Sequence, residues 1–95
     1  MAFTVVNIID SNTIQVAPHW KWIDADGEYV KIEGYPQVTS KDATFIKSKV
    51  ETLIKDKFVE LKNPRAVDDN IIRCSVYLNG VDISQYFPEL KEGVK

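Results

Sequence analysis

One stretch decides the fold of this chain: Val5-Val6-Asn7-Ile8-Ile9-Asp10-Ser11-Asn12-Thr13-Ile14-Gln15-Val16. Two runs rich in β-branched residues flank the polar tetrad Asp10–Thr13. Each run has the composition of a strand, and Asp, Ser and Asn are residues that turns favour. The stretch therefore predicts a hairpin, with strands over 3–9 and 13–17 joined by the tetrad. Pro18 is predicted to interrupt or end the second strand, because proline donates no hydrogen bond to a ladder.

A second hairpin is predicted further along the chain. The pair Asp26-Gly27 separates strand-forming residues at 20–24 and 28–33, and Asp-Gly is a strong signal for a tight turn. Trp20 and Trp22 are two residues apart, so they share one face of their strand. Two interpretations of the pair stay open. The tryptophans cover the barrel or a partner contact with their apolar area, or they stack on bases near a lysine.

The rest of the chain predicts one good helix and two more strands. An amphipathic helix is expected over 40–56, with its apolar stripe formed by Phe45, Ile46, Val50, Leu53 and Ile54. The later predicted elements are a strand over Phe58–Lys62, a loop over 63–70, a strand over Ile71–Leu78, a turn at Asn79-Gly80 and a short helix over Ser84–Leu90. This order predicts a mainly β (α+β) fold, a five-stranded OB-fold barrel with one amphipathic helix and a short C-terminal helix.

Composition indicates one small domain over residues 1–95, and it narrows the chemistry. Cys74 is the only cysteine and lies in a predicted strand, so we expect a small core residue, with no intrachain disulfide. His19 is the only histidine, which excludes a multi-histidine metal site within one chain. We expect no cofactor. With no visible secretory signal and no apolar run of the roughly 20 residues that span a bilayer, the expected location is cytoplasmic, with no membrane partner.

Three stretches together resemble the staphylococcal nuclease-like (thermonuclease) family. They are the opening hairpin, the stretch Val30-Lys31-Ile32-Glu33-Gly34-Tyr35-Pro36, and the stretch Ser75-Val76-Tyr77-Leu78-Asn79-Gly80-Val81-Asp82-Ile83-Ser84. The family spells these places V-x-D-G-D-T, V-R-L-x-G-I-D-x-P-E and A-Y-V-Y-V-D-G-x-x-V-N, and has a helix between the last two. The resemblance covers about residues 4–90 and implies the same OB-fold barrel.

The resemblance also implies that the family's chemistry is lost. Family nucleases hold a calcium ion with acidic side chains, activate water with a Glu, and bind the phosphate with two arginines. The metal-binding Asp positions fall on Asn12 and Pro36, and the two Arg positions fall on Lys31 and Ile71. The Glu position falls near Thr39. The resemblance therefore implies a degenerate site, a pseudoenzyme without a metal and without nuclease activity.

Because the resemblance implies that catalysis is lost, the predicted function is binding. The prediction is a catalytically inactive SNase-like OB-fold binding module whose ligand is a protein partner or single-stranded nucleic acid, with self-association also open. The alternative is a divergent calcium-dependent nuclease that uses Asp10, for which a turn role is favoured. The candidate binding residues are Lys31, Arg73, Trp20, Trp22, Tyr35 and Tyr77. A pI near 5.3 favours a protein partner over a general nucleic-acid binder.

Overall fold

A computed structural model of the chain describes residues 2–33 and 40–86, with side chains described from residue 44 onward in the helix. The predicted loop with Tyr35 and Pro36, the predicted cap at Thr39, and positions 87–90 of the last predicted helix lie outside these residues. The elements are β1 (Ala2–Asp10), β2 (Thr13–Trp22), β3 (Ala25–Ile32), α1 (Ser40–Ile54), β4 (Phe58–Asp68), β5 (Ile71–Leu78), β6 (Val81–Asp82) and a 3₁₀ turn (Ile83–Tyr86).

The five long strands close into a barrel. Neighbouring strands pair antiparallel in the order β3-β2-β1-β4-β5, and β3 and β5 close the ring with a parallel ladder. Val30 lies opposite Ile72 in that ladder, and Ile32 lies opposite Cys74. In a closed barrel, a long strand has no free edge over the residues at which a strand pairs with it on each side. The predicted OB-fold-like α+β barrel is confirmed.

The helix closes one end of this barrel. It joins the end of β3 to the start of β4, which lie at the same end because β3 runs parallel to β5 and β5 antiparallel to β4. Ile46, Val50 and Ile54 of α1 are fully buried in the core. No described helix has the length and apolarity that crossing a membrane requires.

The opening hairpin is confirmed, and its polar tetrad has a clear role. Asp10 pairs with Thr13 across a two-residue turn. The Asp10 carboxylate accepts a hydrogen bond from the Asn12 N–H at 3.0 Å, and the Asn12 carbonyl accepts one from the Ile32 N–H at 2.7 Å. The tetrad thus holds β1, β2 and β3 in register, and Asp10 acts as the predicted turn residue.

The second hairpin turns earlier than predicted. Trp22 pairs with Ala25, so the turn lies at Ile23-Asp24 and the prediction of a turn at Asp26-Gly27 is wrong. Gly27 lies within β3, where an added Cβ would come 2.8 Å from the Asn70 carbonyl oxygen and 2.9 Å from the Trp20 ring. The glycine permits close packing of a strand and needs no positive φ.

Two predicted strands are longer in the structure. β2 continues through Pro18 to Trp22, because its pairing with β1 stops at Ala17 and no partner strand there needs the missing N–H. β4 continues to Asp68, so the predicted loop is wrong over 63–68 and is confirmed only as the turn at Asp69-Asn70. A register shift between Lys62 and Ala66 absorbs the polar residues that suggested a loop.

The C-terminal part of the described chain matches its prediction in outline. Asn79 and Gly80 both have positive φ, as the predicted tight turn requires. The predicted helix begins as a 3₁₀ turn over Ile83–Tyr86, and the Asp82 carboxylate caps it by accepting a hydrogen bond from the Ser84 N–H at 2.9 Å.

Candidate binding groove and outer patch

A groove opens at the end of the barrel opposite α1. There β2 and β4 extend past Ala2, where β1 begins, and a cavity of about 560 Å³ lies between them. We call this cavity the mouth groove. Its lining residues are Phe3, Pro18, His19, Trp20, Lys21, Trp22, Leu61, Pro64, Ile72 and Cys74. Most of these side chains are apolar, and a pocket of this size suits a ligand of several hundred Å³.

The two tryptophans have different positions in the mouth groove. Trp20 is 2% exposed, belongs to the core, and donates a hydrogen bond from Nε1 to the Tyr29 carbonyl at 2.9 Å. This burial disfavours base stacking by Trp20, which needs an accessible ring face, and the stacking role stays a prediction. Trp22 is half-buried and packs against the core with part of its ring accessible. Trp20 therefore forms the floor of the groove, and Trp22 forms a wall.

Among the described residues that line the mouth groove, Lys21 carries a formal charge, and it is positive. His19 and Lys21 are both exposed, and no carboxylate belongs to the lining. Asp26 lies opposite Lys21 on β3, yet the two side chains form no ion pair within the described part of the chain. The groove thus has an apolar interior and a locally basic rim on a protein with a formal net charge of −2.

An unusual residue marks the tip of the β2–β3 hairpin beside the mouth groove. Ile23 is 81% exposed and has a φ of 57°. A β-branched residue is a conformational outlier in the left-handed region, where glycine or asparagine is usual. An exposed apolar side chain held at a strained position is a feature that accumulates at functional sites.

Lys31 and Arg73 meet on the outer surface of the barrel. They are register partners in the parallel β3–β5 ladder, and both side chains point away from the core. Arg73 Nη1 lies 3.8 Å from Glu33 Oε2, and Arg65 Nε lies 3.7 Å from Glu33 Oε1. We call Lys31, Glu33, Arg65 and Arg73 the outer patch. Glu33 already occupies the two guanidinium groups, and an anionic ligand would have to replace it.

Tyr77 belongs to neither the mouth groove nor the outer patch. Tyr77 is half-buried on β5, about 14 Å along the strand from Arg73 at ~3.4 Å per residue. Its ring lies under Lys62, with Nζ 5.1 Å from the ring centroid. Tyr35 is outside the described residues. The structure therefore brings Trp20 together with Trp22, and Lys31 together with Arg73, but it does not combine the predicted set into one site.

Three positions of the nuclease-like resemblance lie among the described residues: Asn12, Lys31 and Ile71. Asn12 is engaged in the turn, where Thr13 Oγ1 lies 3.5 Å from its side-chain oxygen. Ile71 is half-buried at the start of β5, on the same face as Arg73. Among the described residues, no three of His, Cys, Asp or Glu lie close enough together to hold a metal ion. Pro36 lies outside those residues.

Sequence reasoning predicted only Trp20 and Trp22 among the residues that line the mouth groove. Phe3, Leu61 and Pro64 line it, and none of them had a pattern that pointed to binding. The available signal was indirect, since the groove depends on how far β2 and β4 extend. The sequence analysis ends the corresponding strands at Ala17 and Lys62, so it does not predict the additional length of β2 and β4.

Cys74 forms part of the floor and is chemically quiet. Its side chain is fully buried, which confirms the predicted core role. Burial, with a smaller contribution from the negative charge of Glu33, raises the pKa of the thiol to about 12. In the unfolded chain the same thiol ionises near its ordinary value of 9.0.

This difference predicts a loss of stability at alkaline pH. The Cys74 contribution is complete below pH 9 and is lost as the pH rises toward about 12, because only the unfolded state then releases the thiol proton. The slope from this group is about 1.4 kcal/mol per pH unit. Urea unfolding of the wild type and Cys74→Ala between pH 8 and pH 11 measures it. Equal slopes for the two proteins would contradict the prediction.

No family model, curated protein or solved structure matches this chain.

Proposed function

We propose that this chain is a non-catalytic binding module on an OB-fold-like barrel, and that its ligand is a protein partner. The mouth groove is the observation that carries the proposal. A cavity of about 560 Å³ with a largely apolar lining offers a place to bury an anchoring side chain of a partner. Burial of apolar area is the main favourable term in most protein–protein association.

The hairpin tip supports the same surface. Ile23 continues the apolar character of Trp22 beyond the rim and remains 81% exposed in the isolated chain. Retaining isoleucine at a φ of 57° costs folding stability, which asparagine or glycine would recover. A contact made by this side chain in a complex would give a reason for that cost.

The absence of catalysis rests on the nuclease-like resemblance. At Asn12 and Ile71 the residue types cannot supply the negative charge and the guanidinium group that calcium-dependent phosphodiester cleavage uses. Lys31 keeps a positive charge but not the planar fork of arginine. The combination favours an SNase-like barrel that binds and does not cleave.

Single-stranded nucleic acid is the second candidate ligand, and the outer patch favours it. Lys31 and Arg73 are adjacent in register and could contact neighbouring phosphates. Two observations weigh against it. Glu33 pairs with both arginines of the patch and lowers its positive charge, and Trp20 is buried where base stacking requires an open ring face.

Selection from a display library of random peptides tests the proposed function. We expect the chain to enrich peptides that bind with a Kd below about 100 μM and shift the NMR signals of Trp22 and Leu61. Ile23→Asn is the informative variant. It should unfold at higher urea concentration, because asparagine tolerates a positive φ, and bind the same peptides less tightly. A library that yields no binder, or binders that shift only residues of the outer patch, would contradict the proposal.

Two further titrations separate the other functions. A single-stranded oligonucleotide at low salt should leave the signals of Lys31 and Arg73 unchanged; salt-sensitive shifts there would favour the second candidate. Calcium should change neither the Tm nor the integrity of a labelled oligonucleotide, since a ligand that binds only the native state must stabilise it. Calcium-dependent cleavage would instead establish the nuclease alternative.

A further inference from the structure

We propose that Asn79 is a site of spontaneous modification, at which the Gly80 main-chain nitrogen closes a succinimide ring and water opens that ring to isoaspartate or aspartate. The inference goes beyond the proposed function and does not depend on it, because the β5–β6 turn lies at the helix-bearing end of the barrel. Three features carry it: the residue pair, the freedom of the turn, and the contrast with Asp26-Gly27, which the fold holds in a strand.

The reaction needs only the two residues of the turn and water. The Gly80 nitrogen loses its proton to solvent and attacks Asn79 Cγ, so that an N–Cγ bond forms and a five-membered ring closes. The Cγ–Nδ2 bond breaks, and the nitrogen leaves as ammonia after taking a proton from solvent. Water then adds to one of the two ring carbonyls and breaks its bond to nitrogen. Opening at the main-chain carbonyl leaves isoaspartate, and opening at Cγ leaves aspartate.

The sequence distinguishes Asn79 from the other asparagines. Of the five in the chain, it is the one that precedes glycine. Glycine has no Cβ to crowd the attacking nitrogen, and its backbone turns readily. The others precede either a β-branched residue, whose side chain crowds the nitrogen, or a proline, whose nitrogen has no proton to lose. These four are Asn7, Asn12, Asn63 and Asn70.

The β5–β6 turn leaves the pair free to react. Leu78 pairs with Val81, so the Gly80 N–H lies in a two-residue turn outside the ladder. Asn79 and Gly80 are exposed, and within the described residues neither the Asn79 side chain nor the Gly80 N–H has a hydrogen-bond partner. Nothing lies within 4 Å of a Cβ added at Gly80. Ring closure turns the peptide between the two residues out of the tight-turn geometry, and no packing opposes that motion.

The fold protects the second pair that could form such a ring. Asp26 also precedes glycine, and its carboxyl group would lose water in place of ammonia. Gly27 lies within β3 opposite Trp20, and a Cβ added there would come 2.8 Å from the Asn70 carbonyl oxygen. Rotation of this peptide would break strand pairing in a filled space. The structure therefore assigns the reaction to Asn79.

The two products have different effects on the β5–β6 turn. Isoaspartate adds a carbon to the main chain and lengthens a turn that has two residues. β6 is itself two residues long and leads directly into Ile83, which is fully buried. The isoaspartate form should therefore unfold at a lower urea concentration. The aspartate form keeps the backbone length and tolerates the φ of 54° at this position, so its urea midpoint should stay close to that of the unmodified chain.

Incubation of the folded chain in heavy-oxygen water at neutral pH tests the site, with peptide mapping by mass spectrometry as the readout. We expect heavy oxygen at Asn79 and none at Asp26 or Asn12. Asn79→Gly keeps a residue that accepts a positive φ and removes the side-chain amide, so it should take up no label at this position. Gly80→Ala should slow the reaction about tenfold, because it restricts the backbone and crowds the nitrogen. In guanidinium chloride, Asp26 should take up label as well.

The outcomes are separate from those of the proposed function. If label at Asn79 in the folded chain does not exceed that at Asn12 or Asp26, the assignment of the site is overturned. Equal urea midpoints for the purified isoaspartate form and the unmodified chain would overturn the effect on the turn. Selected peptides should bind both forms with the same Kd, and a changed Kd would overturn the independence of the turn from the mouth groove. A library that yields no peptide contradicts the proposed function alone, since the labelling needs no ligand.

Discussion

Trp20→Ala should destabilise the protein by about 3–5 kcal/mol, the usual cost of removing a large aromatic side chain from a core. Trp20 is 2% exposed and is the largest fully buried side chain of the described chain. Its removal also leaves the Tyr29 carbonyl without the hydrogen bond from Nε1 at 2.9 Å. Because a small domain has about 5–15 kcal/mol of stability in total, the variant should be close to unfolding at room temperature.

Equilibrium unfolding in urea measures the loss of stability, and two further variants serve as controls. Trp22→Ala should cost less than about half as much, since Trp22 is only half-buried at the wall of the groove. Trp20→Phe keeps most of the apolar bulk and removes the indole donor, so its cost combines the lost hydrogen bond to Tyr29 with a smaller cavity than Trp20→Ala leaves. A loss of less than about 1.5 kcal/mol for Trp20→Ala would mean that Trp20 is a surface residue, as base stacking requires.

The first hairpin was predictable because its information is local. The β-branched runs, the polar tetrad and their spacing all act within the stretch Val5–Val16, and the observed turn at Ser11-Asn12 follows from them. The helix was predictable for a similar reason, since its apolar stripe is a property of one segment. Five strands and a helix in this order then leave few ways to close a barrel, so the fold class followed.

The second hairpin was not predictable, because one residue pair has two physical meanings. Asp26-Gly27 has the composition of a tight turn, but the glycine lies in β3 where two distant parts of the chain approach it. Trp20 and Asn70 come from other strands and turns, so the requirement for glycine is tertiary. The actual turn contains Ile23, a residue that turn statistics disfavour at a positive φ.

The candidate site depends on relations between strands, which a single sequence does not display. The mouth groove lies between β2 and β4, and the polar residues Asn63 and Arg65 concealed the continuation of β4. The pairing of Lys31 with Arg73 was within reach, because it needs only the parallel contact of β3 and β5 that the fold implies. Trp22 was predicted to make a contact through its apolar area, and in the structure it lines the groove.

Gly27→Ala should destabilise the protein by about 1–3 kcal/mol, the cost of forcing a methyl group into a filled space. The added Cβ would lie 2.8 Å from the Asn70 carbonyl oxygen and 2.9 Å from Trp20 Cζ2. The first contact is with main chain at the turn between β4 and β5, so relief requires movement of the parallel seam that closes the barrel. The second contact pushes on the floor of the mouth groove. Peptide affinity should therefore fall together with stability.

Gly80→Ala is the matched control, because nothing lies within 4 Å of its added Cβ and only its φ of 82° opposes the change. Its cost should be about 1 kcal/mol and purely conformational, with peptide affinity unchanged. Asn70→Gly in the Gly27→Ala background should recover part of the lost stability, since a glycine at the φ of 62° lets the β4–β5 turn move away from the methyl group. Urea unfolding of the four proteins gives the stabilities, and titration with a selected peptide gives the affinities. Equal costs at Gly27 and Gly80, or no recovery with Asn70→Gly, would show that Gly27 is needed for its backbone conformation and that packing between β3 and the β4–β5 turn does not set the groove floor.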